Sequence, residues 1–180
     1  MTNQKIKEDI EERVRSLMSE IKGYSRYLEI EHRITNAQSK IGYRFEEPSL
    51  LMLAFCRTKI PPDKNGYMNE TLAQIGDFVL TLVIGEIGFL RGESKKEIQS
   101  RRERLSKNDR LYKYAKENDF LVFCYNEEYF WSDDNMPRHK RVSANKHDSV
   151  VEAIIGAIYL DGGLDRAREW ILNNYLKNDF

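Results

Sequence analysis

Apolar side chains recur at helical spacing along most of the chain. Near the N-terminus, steps of four and three residues alternate and predict an amphipathic helix, with its apolar stripe at Ile10, Val14, Leu17, Ile21, Tyr24 and Leu28. The stripe suits either a helix that pairs with a partner subunit or one that packs on its own domain. It lasts less than three heptads and is interrupted by Gly23, which favours packing on its own domain.

The most apolar part of the sequence predicts a buried central helix. Asn69 is a suitable N-cap for this helix, and apolar residues then follow the helical period at Leu72, Ile75, Val79, Leu82, Val83 and Ile87. A second strongly apolar helix is predicted over residues 149–160, and the glycine pair at 162–163 is expected to end it. Residues 164–176 predict a last amphipathic helix.

Turn-forming and charged residues separate these segments. Pro48 fits the first turn of a short apolar helix, and residues 60–66 predict a loop by their Pro and Gly content. A break near Thr35 and Asn36 divides the chain into an N-terminal helical extension over 1–36 and a domain over 37–180. No segment alternates as a strand would, so the predicted fold class is all-α.

The composition is typical of a soluble globular chain. Of its 180 residues, 41% are hydrophobic and 32% are charged, and Lys+Arg equals Asp+Glu at 29 each. Net charge therefore attracts the chain neither to nucleic acid nor to a membrane. Cys56 and Cys124 are far apart and form no CxxC pair, which favours a reducing compartment. Because the N-terminus is polar and the apolar run over 78–90 is shorter than the ~20 residues that span a bilayer, we expect a cytoplasmic protein without a membrane partner.

Two pairs of acidic residues beside apolar helix faces are the candidates for chemistry. Glu70 and Asp77 lie two turns apart on one face of the central helix, and Asp148 and Glu152 lie one turn apart at the head of the second apolar helix. Carboxylates beside buried surface are costly unless they are paired or bind a cation. Converging carboxylates suit Mg²⁺ or Mn²⁺, and the alternative is that they are surface acids with lysine partners.

Four blocks of sequence, in the same order, resemble the ribonuclease III family. Residues 69–80, Asn-Glu-Thr-Leu-Ala-Gln-Ile-Gly-Asp-Phe-Val-Leu, are similar to that family's signature helix. Residues 41–51 resemble its opening motif, residues 101–105 its Arg-rich middle helix, and residues 151–163 its last catalytic helix. The resemblance covers about residues 38–175, the nuclease domain, and because the chain ends at Phe180 we expect no double-stranded-RNA-binding domain after it.

This resemblance implies an all-helical domain that forms a two-fold homodimer and cuts double-stranded RNA with Mg²⁺ or Mn²⁺. In the family, four carboxylates ligate the metal, two from the signature helix and two from the last catalytic helix. Asp77 and Glu152 match two of these ligands, and Glu70 matches a supporting acid. The resemblance therefore implies that these three residues are catalytic and that Asp77 and Glu152 bind the metal.

Two of the four ligand positions are not acidic in this chain. The family's second signature-helix acid falls on Ala73, and its aspartate three residues before Glu152 falls on Ser149. Asp148 is a further metal-ligand candidate one residue away, but each residue turns a helix by about 100°, so a one-residue π-bulge is needed to bring it to the metal. Gln74 stands where the family has a phenylalanine that inserts into the partner subunit.

Two basic segments are candidates for RNA contact although the whole chain is neutral. The first, over 95–116, includes Arg101 and Arg102 but is interleaved with acids, so a solvated helix face is the alternative. The second has no acid between its members, which include Arg138, Lys140 and Arg141. Local basic patches of this kind can follow RNA phosphates.

The sequence therefore predicts a ribonuclease III-like domain that engages double-stranded or structured RNA. Its endonuclease activity is predicted to be weak or absent, because Ala73 and Ser149 replace two metal ligands. One alternative is an active Mg²⁺-dependent endoribonuclease whose rearranged site uses Asp148. Another is a scaffold protein that reuses the fold for assembly and docks through its N-terminal helix.

Overall fold

The computed structural model describes residues 3–58, 68–130 and 149–179. Within these ranges the chain is helical, and its only extended pairings are isolated bridges of Tyr125 with Cys56 and with Phe130. The predicted all-α fold class is confirmed. The helices are α1 (Asn3–Lys22), α2 (Tyr27–Ile41), α3 (Pro48–Phe55), α4 (Met68–Leu90), α5 (Lys95–Leu105), α6 (Asn108–Glu117) and α7 (Val150–Trp170). A 3₁₀ turn (Phe120–Phe123) follows α6, and a π turn (Ile171–Tyr175) continues α7.

The N-terminal stripe packs on the chain's own domain. This confirms the favoured interpretation, since the stripe of α1 enters the main core at Val14, Leu17, Met18 and Ile21. α1 ends just before Gly23, and Leu28 at the start of α2 is exposed instead of continuing the stripe.

The predicted break near Thr35 and Asn36 is wrong, because α2 runs through both residues. The helix ends at Gly42, whose φ of 72° closes it in the left-handed conformation that glycine favours. Its buried face lies on both sides of the 36/37 boundary and joins the main core at Ile30, Ile34, Ala37 and Ile41. The proposed border between extension and domain therefore lies inside one helix.

α4 and α7 form the centre of the fold, and their backbones touch where each helix carries a glycine. A Cβ added at Gly76 would overlap the carbonyl oxygen of Glu152, and a Cβ added at Gly156 would overlap that of Leu72. Only glycine permits two helix backbones to approach so closely. The predicted buried central helix is confirmed, and its partner is the second predicted apolar helix.

The two central helices run in roughly the same direction. Near their starts, the Asn69 side chain donates to Ser149, and farther along Arg168 donates to both carboxylate oxygens of Glu86 at 2.8 and 2.9 Å. The bond to Arg168 lowers the pKa of Glu86. These contacts fix the register of α4 against α7 at both ends.

The glycine pair after α7's apolar stretch bends the helix instead of ending it. α7 continues to Trp170 with a kink at Gly163, where φ is 79°. Just before the kink, Asp161 accepts hydrogen bonds from the Tyr43 hydroxyl and the Glu47 N–H, both at 2.8 Å. This carboxylate ties the loop before α3 to α7.

α4 is long and apolar enough to cross a membrane, judged by length and composition alone. The core helix of a globular domain meets the same criteria, and 44% of the most apolar 18-residue window of α4 is buried inside the fold. Asp77 and Glu86 also interrupt it. These features are typical of a core helix.

Replacing a central glycine should strongly destabilise the domain. For Gly76→Ala, the added methyl group must push two helix backbones apart, and we expect the free energy of unfolding to fall by about 3 kcal/mol or more. Urea denaturation followed by circular dichroism measures this change. The control is Gly85→Ala in the same helix, where a Cβ meets nothing within 4 Å and we expect a gain of up to about 1 kcal/mol. Equal stability of the two variants would contradict the close contact.

Candidate active site

The contact between α4 and α7 brings two of the predicted catalytic residues together. Asp77 follows Gly76 on α4, and Gly76 lies against the backbone of Glu152 in the first turn of α7. Both carboxylates are half-buried. Their charges therefore interact in a place where water screens them poorly.

The surroundings of Glu152 favour either its protonated form or a bound cation. Burial, and then the charge of Asp77, raise the pKa of Glu152 to about 7. The ionised form of Glu152 is therefore unfavourable unless a positive charge compensates it. Perturbed carboxylates of this kind cluster at functional sites.

The other predicted acidic positions are placed differently. Glu70 is exposed in the first turn of α4, two turns before Asp77. Ala73, at the position of one family ligand, is only 5% exposed and packs in the core, where its methyl group offers no oxygen to a metal.

Asp148 lies outside the described residues, but the turn that follows it is described. The Ala153 N–H donates to the Ser149 carbonyl at 2.8 Å, a regular α-helical bond. Residues 149–153 therefore form a regular α-helical turn, and the π-bulge that Asp148 would need involves residue 148, which lies outside the described residues.

The structure adds two residues that the sequence analysis did not identify as part of the site. The Ser149 hydroxyl oxygen accepts hydrogen bonds from Arg57 Nη1 at 3.5 Å and from Asn69 Nδ2 at 3.4 Å. Arg57 is only 6% exposed, and Asn69 is fully buried. The prediction that Asn69 is the N-cap of α4 is wrong, because Asn69 lies inside the helix and its backbone N–H donates to the Cys56 carbonyl. The one sequence signal for Arg57 is its position directly after the apolar run over 50–56.

Of the residues predicted to contact RNA, two lie in the described part of the chain. Arg101 is 17% exposed and forms an ion pair with Glu93, so its charge is already engaged within the domain. Arg102 is exposed on α5. Three others lie outside the described residues, namely Arg138, Lys140 and Arg141.

The described residues suit one divalent cation. In this part of the chain, no three or more His, Cys, Asp or Glu side chains form a cluster that could hold a metal ion, so the site offers the pair Asp77 and Glu152. Mg²⁺ commonly binds through one or two carboxylates and completes its octahedron with waters and substrate phosphate oxygens. A half-buried, mutually repelling pair of carboxylates fits this type of site.

Removing the Glu152 charge should change how stability depends on pH. Folding raises the pKa of Glu152 from its ordinary value of 4.5 to about 7. Below pH 4.5 the side chain is protonated in both the folded and the unfolded state, so it does not lower the free energy of unfolding. As pH rises from 4.5 to about 7, the unfolded state loses this proton first, and the free energy of unfolding falls. In EDTA, Glu152→Gln should therefore match the wild type near pH 4 and exceed it at pH 8, by up to about 3 kcal/mol before solvent screening is considered. Urea denaturation at the two pH values measures this difference.

A matched control is Glu12→Gln, which removes an exposed carboxylate of α1. This variant should follow the wild type at both pH values. A Glu152→Gln variant with the same pH dependence as the wild type would contradict the burial of Glu152 beside Asp77.

Comparisons with known proteins identify the family of this chain. A family model described as Ribonuclease-III-like matches residues 57–179. Ribonuclease 3 of Protochlamydia amoebophila is 32% identical over 153 residues, which cover 81% of this chain and 61% of that protein. Ribonuclease 3 of Clostridium tetani is 31% identical over 148 residues, which cover 79% of this chain and 60% of that protein. The chain thus spans about 60% of the length of these curated relatives.

Solved structures show the same fold. The nuclease domain of ribonuclease III from Campylobacter jejuni, in a structure described by flexibility in a region involved in dimer formation, superposes with a TM-score of 0.64 and 26% identity. The match covers 81% of this chain and 97% of that one. A second structure of the same domain gives a TM-score of 0.60 and 27% identity, over 78% and 92% of the two chains. Together with the family model and the curated relatives, these matches show that the chain belongs to the ribonuclease III family and has the fold of its nuclease domain.

Proposed function

We propose that this chain engages double-stranded or structured RNA and cleaves it weakly or not at all. Membership of the ribonuclease III family supports RNA as the substrate class. The observation that supports weak cleavage is the composition of the α4–α7 crossing. Asp77 and Glu152 remain there, whereas Ala73 and Ser149 supply no charge at the other two ligand positions.

Each remaining acid has a definable role in such a site. Asp77 and Glu152 would hold Mg²⁺ or Mn²⁺, which when bound supplies charge neutralisation and an activated water for phosphodiester cleavage. Glu152 must first lose the proton that burial and Asp77 help it to retain, so cation binding releases a proton and weakens as pH falls below about 7. Two carboxylates attract a cation less strongly than four, which favours weak binding and slow cleavage.

RNA contact is proposed for the exposed basic residues. Arg102 faces solvent on α5, whereas the pairing of Arg101 with Glu93 leaves Arg101 less able to bind a phosphate. Arg138, Lys140 and Arg141 are the further proposed phosphate contacts, from their sequence alone.

The scaffold alternative is less well supported. It required the N-terminal stripe to be available for a partner, but Leu17 and Ile21 are buried in the core of the chain's own domain. α1 can present them only by leaving that core.

The outer face of α4 supports a proposed homodimer. Phe78, Leu82 and Phe89 are 65%, 47% and 80% exposed, and their spacing places them in one stripe. Gln74 lies one turn before Phe78 on the same stripe. An apolar groove of about 350 Å³ adjoins the far end of the stripe, lined in part by Val83, Ile87, Leu90 and Leu172. Exposed apolar patches of this kind mark association surfaces.

Cleavage of a long double-stranded RNA with Mg²⁺ or Mn²⁺ tests the proposed activity. We expect slow cleavage or none, and any cleavage should fall by about a hundredfold or more in Glu152→Gln, because one of the two remaining ligands is lost. RNA affinity, measured by fluorescence anisotropy, should change less than about twofold, since the pair holds a cation rather than the RNA backbone.

Glu12→Gln serves as the control for this experiment and should behave as the wild type. Rapid multiple-turnover cleavage by the wild type would contradict weak activity and direct attention to Asp148. Failure to bind structured RNA at low salt would contradict RNA engagement itself.

Sedimentation at micromolar concentrations tests the homodimer. Phe78→Glu should produce a monomer, because a charge would be buried without a partner in the association surface. Its circular dichroism spectrum should be unchanged, since Phe78 contributes little to the core. Leu28→Glu removes an apolar side chain of α2 that is 76% exposed, and this variant should remain a dimer. A wild-type chain that stays monomeric over this range would rule out the proposed surface.

A further inference from the structure

Two arginines from the junction between α5 and α6 meet at one carboxylate near the end of the chain. Arg104 lies in the last turn of α5 and Arg110 in the first turn of α6, and both form ion pairs with Asp179. Arg104 Nη1 donates to Asp179 Oδ1 at 3.2 Å, and Arg110 Nη2 donates to the other oxygen, Oδ2. Each guanidinium therefore binds its own oxygen of a single carboxylate.

The fold positions the Arg110 guanidinium independently of Asp179. Its Nε donates to the Tyr175 hydroxyl at 3.2 Å, and its central carbon lies 5.2 Å from the centre of the Tyr175 ring. Tyr175 is itself buried, and its hydroxyl donates to the Leu105 carbonyl. We therefore expect Arg110 to keep its place when the Asp179 carboxylate is absent.

A pair of arginines in this arrangement suits a phosphate group as well as a carboxylate. A phosphodiester has two unesterified oxygens that share one negative charge, as a carboxylate has, and guanidinium groups form charge-assisted hydrogen bonds with both. Lys107 is exposed in the turn between the two arginines and adds a third positive charge. The junction therefore has the side chains of an anion site, and Asp179 supplies the anion.

Asp179 is attached to the core by a short length of chain. Leu176 is fully buried, whereas Lys177 and Asn178 are exposed. The backbone N–H of Asp179 donates to the Leu176 carbonyl at 2.9 Å. Movement of residues 177–179 alone would therefore remove the carboxylate from the arginines and leave Leu176 in the core.

We propose that Arg104 and Arg110 form a phosphate-binding site and that Asp179 masks this site in the present structure. The inference rests on the proposed engagement of RNA for the source of the phosphate, and inorganic phosphate would bind the same arginines. It adds an internal contact that limits how many phosphates of an RNA the domain binds.

An ion pair that only stabilises the last turn would behave differently. Removal of the Asp179 charge would then lower the free energy of unfolding and would affect RNA binding only through the net charge of the chain. If Asp179 masks a phosphate site, the same change also frees two arginines to contact RNA.

Fluorescence anisotropy with a short RNA duplex at several salt concentrations distinguishes these cases. For Asp179→Asn we expect about fivefold tighter binding at low salt and a plot of log affinity against log salt that is steeper by about one, because one more phosphate is contacted. The control is Asp109→Asn, which makes the same change of charge at an exposed position of α6. It should alter the affinity by less than about twofold, since salt screens a general charge effect.

A double-mutant cycle tests whether the gain comes from the arginine pair. Arg104→Met removes the more exposed of the two guanidinium groups, whose side chains are 56% and 31% exposed. It should weaken RNA binding at least about three times more in the Asp179→Asn background than in the wild type, where Asp179 occupies the arginine.

Thermal melting in inorganic phosphate tests the site without RNA. Phosphate should raise the melting temperature of Asp179→Asn by a few degrees relative to chloride at equal ionic strength, because a ligand that binds the folded state stabilises it. The wild type should show a smaller rise, and Arg104→Met should remove the gain from Asp179→Asn.

Each remaining outcome decides the proposal. Equal gains in RNA affinity for Asp179→Asn and Asp109→Asn would overturn it, as would equal effects of Arg104→Met in the two backgrounds. If neither the wild type nor any variant binds RNA, the proposed RNA engagement is refuted. A phosphate effect confined to Asp179→Asn would then still support the site, and the lack of that effect would overturn it. If Asp179→Asn does not fold, Asp179→Ser, which keeps a hydroxyl acceptor without the charge, replaces it.

Discussion

The direct contact between the backbones of α4 and α7 is the constraint on which the rest of the structure depends. Gly76 and Gly156 each remove the side chain that would keep the helices apart, so the backbones meet at two reciprocal points. Ordinary helix pairs are separated by 8–10 Å because side chains fill the space between them. Here Asp77, which follows Gly76, and Glu152, whose backbone meets Gly76, are half-buried in the contact region.

The contact between α4 and α7 places charged side chains in a largely apolar centre. Acidic side chains lie in one part of it and a basic side chain in another. Asp77 and Glu152 form an acidic part, in which burial and the charge of Asp77 raise the pKa of Glu152. At the start of α7, Arg57 and Asn69 surround Ser149 with donors. The chain has zero formal net charge and still contains strong local electric fields. The strength of a charge's interactions depends on how deeply the charge is buried and not on the net charge of the chain.

α4 also connects this site to the outside of the domain. Its inner face carries Gly76 and packs on α7, while Phe78 and Leu82 lie on its outer face and are exposed. The helical period separates these faces along a single rigid element. One helix therefore carries both Asp77 and the exposed apolar stripe. Any association through the outer face would involve the same helix that carries Asp77.

Local patterns in the sequence determined the all-α fold and the two central helices, and they placed Asp77 and Glu152 on those helices, because helical periodicity and motif spacing are properties of neighbouring residues. Only the tertiary structure decided which groups the polar side chains contact. Arg57 reaches Ser149 across 92 residues, Asn69 turns to the same hydroxyl instead of capping its helix, and Arg101 pairs with Glu93 although its segment reads as a basic surface. The choice of partner for a buried polar group depends on which helices pack together, and no local pattern encodes that packing.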